Sequence, residues 1–145
     1  MKPLIKYYGG KARLVPRLLP LITPHQTYVE VFSGGLALFL AKPVSKIEVI
    51  NDLAGELVNL YRVVKYHHSE LLRELAGELY ARETLRDYVA QPGLTDIQRA
   101  ARYLWKNRLS FSANGRDFGF SKVGRQNHAR AAHSALALVE PLAAR

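Results

Sequence analysis

The sequence predicts an α/β fold built on a partial parallel sheet, and three observations predict it. First, the β-type run Tyr28 to Val31 leads through Phe32-Ser33-Gly34-Gly35 into a run of helix formers, the pattern of a strand, a glycine turn and a helix. Second, another β-rich run, Ile47-Glu48-Val49-Ile50, stops at Asn51-Asp52. Third, Leu53, Leu57, Leu60 or Tyr61 and Val64 recur at helical spacing, which predicts a helix over 53–66 with one apolar face. Strand, helix, strand, helix in that order implies a right-handed parallel crossover. In open sheets of this kind a ligand sits at the carboxyl ends of the strands, where Phe32 to Gly35 and Asp52 both fall.

The remaining elements follow from local signals. Lys6-Tyr7-Tyr8-Gly9-Gly10-Lys11 puts two rings, two glycines and two amines in six positions, and a helix is expected from Ala12 to Leu21 with Pro16 early in it. Pro20, Thr23 and Pro24 break the chain before the first strand, and Pro43 closes the first crossover helix. Leu71, Leu72, Leu75 and Leu79 mark a further helix, and a shorter one spans about Glu83 to Ala90. After the turn at Pro92-Gly93, Thr95-Asp96-Ile97-Gln98 has capping-box spacing and opens a helix whose core face is Ile97, Ala101, Leu104 and Trp105. Residues 106–125 form the least regular stretch, mixing cations, amides, glycines and phenylalanines, and a final helix is expected from about His128 to Ala144.

Composition narrows the classes. A chain of 145 residues with 48% apolar content is one domain's worth with enough apolar mass for a packed core. No apolar run approaches the roughly 18 residues of a membrane span, and the N-terminus has no signal-peptide core, so a cytoplasmic, bacterial or phage setting and no membrane partner are expected. With no cysteine, disulfides and thiolate metal sites are excluded. The histidines show no ligand spacing beyond the adjacent pair His67-His68, so no metal is assigned.

Charge is unevenly placed. Residues 1–27 hold five cations and no anion, 28–98 hold seven cations against ten anions, and 99–145 hold nine cations against two anions. A phosphate backbone is the partner such basic ends attract, and a merely soluble basic surface is the alternative. Lys106, Asn107, Arg108, Asn114, Arg116, Lys122 and Arg125 lie in the irregular stretch, with cations for phosphates and amides for base edges.

The glycine pair admits two readings. Glycine tolerates positive φ and adds no Cβ, so backbone N–H groups at the start of a helix can approach a ligand. An ordinary strand-to-helix turn fits as well, because Leu36 follows directly and the third glycine of G-x-G-x-x-G is missing. Asp52, eighteen positions after Gly34, favours the first, since an acid at that distance accepts hydrogen bonds from ribose hydroxyls.

Taken together, KYYGGK at 6–11, YVEVFSGG at 28–35, NDLAGELVNLY at 51–61 and the Asn107-Arg108 loop resemble the D12 class of DNA adenine-N6 methyltransferases, the Dam-like family. The resemblance implies a Rossmann-like methyltransferase core that binds S-adenosylmethionine, with a helical DNA-recognition insertion and duplex DNA as partner. By position it implies that Tyr7 and Lys11 enclose the cofactor, that Glu30, Phe32, Gly34 and Gly35 line its methionine side, and that Asp52 is the ribose ligand. It divides the chain into a cofactor-binding part (1–66), a helical DNA-recognition region with its basic loop (67–127) and a helix leading back to the catalytic half (128–145). Tyr7 stands where members often have tryptophan, and Leu36 where some carry a further glycine.

The family's Asp/Asn-Pro-Pro-Tyr/Phe motif has no counterpart, since no two of the seven prolines are adjacent. In the family that motif accepts the hydrogens of the adenine amine and stacks on the flipped base. No catalytic residue is therefore assigned, and the chain is expected to be an N-terminal portion with an exposed strand edge and apolar surface. It is expected to bind cofactor weakly and not to methylate alone, a following segment or partner chain supplying the motif. A non-catalytic basic DNA-binding module that retains the scaffold is the competing reading.

Overall fold

A computed structural model describes residues 1–119 and 136–144. Its sheet has two strands, Thr27–Glu30 (β1) and Ile47–Ile50 (β2), paired in parallel with Thr27 opposite Ile47 and Glu30 opposite Ile50. The ladder runs past both ends, from Ile47 N–H donating to Gln26 O (3.0 Å) to Ser33 N–H donating to Asn51 O (2.9 Å). Strand period two then sorts the side chains. Tyr28, Glu30, Glu48 and Ile50 turn inward, whereas Val29, Val31, Ile47 and Val49 are exposed apolar residues. Behind the sheet the Lys42 amine is buried, paired with Glu48 and 4.3 Å from the centre of the Tyr28 ring.

The predicted N-terminal helix from Ala12 to Leu21 is replaced by short pieces: a 3-10 turn at Lys11–Arg13, one α-turn at Val15–Leu18 (α1) and a second 3-10 turn at Leu19–Leu21. Pro16 and Pro20 each open a piece, because neither can donate to a carbonyl one turn back. The crossover helix is also short, Ala37–Ala41 (α2), and begins after Leu36 in the left-handed region with φ of 60°.

The long helices build the core. Gly55–Tyr66 (α3) starts two residues later than predicted, leaving Leu53 fully exposed, because the Asp52 carboxylate takes the Ala54 N–H and turns the chain there. His68–Leu75 (α4) ends before Leu79, which is exposed, since Gly77 at φ +82° reverses the backbone. Arg82–Ala90 (α5) follows, then Asp96–Leu109 (α6), whose cap is as predicted: Thr95 Oγ1 accepts from Gln98 N–H at 3.2 Å. Helix α6 continues through Lys106, Asn107 and Arg108, so these three are helical, and the irregular stretch starts at Ser110 instead of Lys106. That stretch closes on itself: Phe111 N–H donates to Asp117 O (2.6 Å), Gly119 N–H to Leu109 O (2.7 Å), and Ser110 bridges Phe118 antiparallel.

One continuous core joins Leu4 and Ile5, Leu57 and Leu60 of α3, Leu71 and Leu75 of α4, Leu85 of α5, Leu104, Trp105 and Leu109 of α6, and Val139. Leu136–Ala143 is helical, first as a 3-10 turn and then as α-helix from Val139. The earlier part of the predicted final helix, 128–135, lies outside the described residues. No helix among the described residues is long and apolar enough to cross a membrane.

Candidate functional site

The carboxyl ends of β1 and β2 carry the site. Glu30, the last residue of β1, is buried, and the Tyr28 hydroxyl donates to its Oε2 at 3.2 Å. Its buried Oε1 is ion-paired to the Lys11 amine at 2.9 Å. The same Lys11 amine donates to the carbonyl of Phe32. Lys11 thereby fastens the N-terminal segment to the end of β1.

Asp52 ties the two strand ends together. Its Oδ2 accepts from Gly34 N–H at 2.8 Å and its Oδ1 from Ala54 N–H at 3.0 Å. Each carboxylate oxygen keeps a second lone pair, so Asp52 can still accept from an incoming hydroxyl. The Gly34 N–H, expected from the sequence to face a ligand, is instead committed to Asp52. The glycines serve a close approach of a different kind. A Cβ on Gly34 would lie 3.2 Å from Cδ1 of Tyr7, and one on Gly35 would lie 3.2 Å from Cβ of Tyr7, so both positions exist to seat that tyrosine. Burial, and then the Asp52 carboxylate, push the Tyr7 phenol above its ordinary value.

All seven predicted cofactor residues are thus brought together: Tyr7 against Gly34 and Gly35, Lys11 on Glu30 and Phe32, and Asp52 on Gly34. The Phe32 ring itself is exposed. Tyr7 and Gly35 also line a neighbouring cavity of about 590 Å³ with Lys6 and Arg108, a space that Glu30 and Asp52 do not line.

The seven predicted DNA residues separate. Asn107 and Arg108 do not belong to an outward-facing loop. Asn107 is buried and both accepts from Lys6 N–H (3.1 Å) and donates to Lys6 O (2.8 Å), while Arg108 donates to Leu4 O. Burial lowers the pKa of the Arg108 guanidinium. These two side chains clamp the N-terminal segment that carries Tyr7 and Lys11. Lys106, Asn114 and Arg116 do come together, lining a cavity of about 380 Å³ with Tyr103. Asn114 spends its carbonyl on Arg116 and Asp117 N–H groups (2.9 and 3.0 Å), fixing the turn that presents Arg116. Lys122 and Arg125 lie outside the described residues.

Sequence reasoning missed the rest of this basic strip. Arg99, Arg102, Tyr103 and Lys106 follow one another at helical spacing along α6, a signal that was available. Arg102 stacks 5.3 Å from the centre of the Tyr88 ring and donates to Gln91 O at 2.6 Å, and Arg99 pairs with Glu56 and Asp96. Burial first, then Tyr7, Asp52 and Glu56, hold the Tyr103 phenol up to about 12. Among the described residues no group of three or more histidines and carboxylates has the arrangement of a metal site.

Comparison with known proteins identifies the family. The model of the D12 class of N6 adenine-specific DNA methyltransferases matches residues 7–116, which span every described site residue. A Type II methyltransferase of Lactococcus lactis subsp. cremoris, M1.LlaDCHI, is 30% identical over 123 residues, covering 77% of this chain and 42% of that relative. The chain therefore spans less than half the length of the curated relative it matches.

Proposed function

Because the chain belongs to the D12 class of N6 adenine-specific DNA methyltransferases, we propose that it forms the S-adenosylmethionine seat and part of the DNA-contacting surface of an adenine-N6 methyltransferase. In this reading the two strands are part of a Rossmann-like core and the helices after Tyr66 its recognition insertion. The observation that carries it is the coupling of Asp52 to both strand ends through Gly34 and Ala54.

The residues fit such a cofactor. Asp52 has lone pairs left for ribose hydroxyls, and Glu30 presents a buried carboxylate held by Lys11. When bound, S-adenosylmethionine supplies a methyl group activated by a sulfonium. Tyr7 and Lys11 close the N-terminal side of the seat, Lys11 pairing directly with Glu30. Phe32, Gly34 and Gly35 shape the turn, and the Gly34 N–H fixes the direction of the Asp52 carboxylate. Lys106 and Arg116, joined by Arg102, give cations for phosphate, with Asn114 holding their turn. The acceptor for the adenine amine and the ring that stacks on the base are assigned to none of the described residues. The reading therefore gives this chain binding without turnover, the missing groups coming from another segment or chain.

Calorimetric titration of S-adenosylmethionine into the 145-residue chain, beside Asp52→Ala, tests the seat. Binding by the parent that the variant loses by more than about tenfold, roughly 1.4 kcal/mol, is expected. A folded parent that takes up no cofactor overturns the reading, and methyl transfer to adenine-containing duplex by the pure chain overturns its second part.

A further inference from the structure

The sheet is packed on one side only. On its inner face the Tyr28 ring lies 6.4 Å from the Phe39 ring of α2, and Ile50 packs against the common core. On the outer face Val29 stands opposite Val49 and Thr27 opposite Ile47, with Val31 following along β1. The four apolar residues of this face are between 44% and 53% exposed. Phe32 and Leu53, just past the strand ends, are exposed further, at 78% and 99%. Each strand has one neighbour among the described residues, so each keeps an open edge. Parallel sheets occur almost only where both faces are covered, and this one leaves a face of β-branched side chains bare.

The size of that face selects its occupant. Two strands, each about 4.8 Å wide, and four residues at about 3.3 Å each make a surface of roughly 130 Å². A stable interface takes about 800 Å² from each partner, so a second copy laid face to face falls several-fold short. An occupant that also adds strands at an open edge gains main-chain hydrogen bonds and the missing area together. The Lactococcus relative has the material for this, since more than half of its length lies outside the match.

We propose that the outer face of β1 and β2, with an open strand edge, is the docking surface for the catalytic half of the methyltransferase. The proposal rests on the functional reading above and gives that half a place. Its strands continue the parallel sheet, and an apolar helix face closes over Val29, Val31, Ile47 and Val49. Strands added in parallel end level with β1 and β2, so the groups that follow them stand beside Glu30 and Asp52.

The chain has no cysteine, so one introduced thiol reports on this face alone. The test compares maleimide labelling of Val49→Cys with that of Leu94→Cys, an apolar position outside the sheet that is 86% exposed. Each variant is labelled alone and with the part of M1.LlaDCHI outside the match, produced as a separate polypeptide. Alone, both thiols label fast and the chain sediments as a monomer. With the fragment, labelling of Val49→Cys slows about tenfold or more, as in the packed core of an interface, while Leu94→Cys is unchanged. Equal labelling of Val49→Cys with and without the fragment overturns the proposal. So does a slowly labelled dimer of the chain alone, in which a second copy covers the face. Titration of S-adenosylmethionine into the parent keeps the two readings apart: absence of uptake defeats the seat, and neither labelling result can do so.

Discussion

Gly34 carries two constraints at once: a φ of +49° and the ring of Tyr7 at 3.2 Å from where a Cβ would stand. Gly34→Ala should therefore cost about 1–2 kcal/mol from the left-handed backbone alone, read as a lower urea midpoint, and should displace Tyr7 and weaken cofactor binding further. The phenols give a pH prediction. Tyr28 and Tyr103 are each held up to about 12 against an ordinary 10.0, burial being the first cause in both. A raised folded pKa stabilises fully below pH 10 and loses that contribution as pH rises towards 12. Unfolding monitored at 295 nm should show stability falling across that window, with phenolate appearing together with unfolding. At this scale the placing of Asp52 and of the glycines was legible in the sequence because each directly follows a strand end.

Among the elements, α3 and α6 do most of the positioning. Helix α6 begins where the capping box predicts, and Thr95→Ala should cost about 1 kcal/mol in thermal or urea unfolding, with Gln98 N–H left to water. Its far end holds the N-terminal segment through Asn107 and Arg108. Asn107→Ala removes both hydrogen bonds to Lys6 and should cost about 1–3 kcal/mol, with a parallel drop in cofactor affinity as Tyr7 loosens. An effect on DNA binding without any effect on cofactor would contradict that role. The sequence placed these residues in a loop because amides, cations and glycines gather just beyond them. Tertiary contact with a segment a hundred positions away decided otherwise, and no local pattern reports such a contact. The expected helix from Ala12 to Leu21 gave way for a local reason: Pro20, read only as part of the break before the first strand, and Pro16 each start a new short piece.

Over the whole molecule, the formal charge of +9 and its concentration at the chain ends set how the protein meets a polyanion. If the α6 strip with Arg116 is the proposed DNA-contacting surface, binding to duplex DNA should fall with salt. Lys106→Ala and Arg116→Ala should each lower the slope of log affinity against log salt by about 1 if each neutralises one phosphate, and slopes equal to the parent's would remove them from the interface. The strand order, the helix content and the basic ends could be read from periodicity and charge. That helices of 67–109 share one core with the strand-bearing part could not, because binary patterns name apolar faces without saying which faces meet.

The most direct test of the cofactor seat is a backbone amide NMR titration of the isotope-labelled chain with S-adenosylmethionine. The account predicts shifts concentrated at 7–11, 30–36 and 51–55, with Gly34 and Ala54 among the largest because both donate to Asp52. Shifts confined to α4 and α5, or none at saturating ligand in a folded chain, would contradict it.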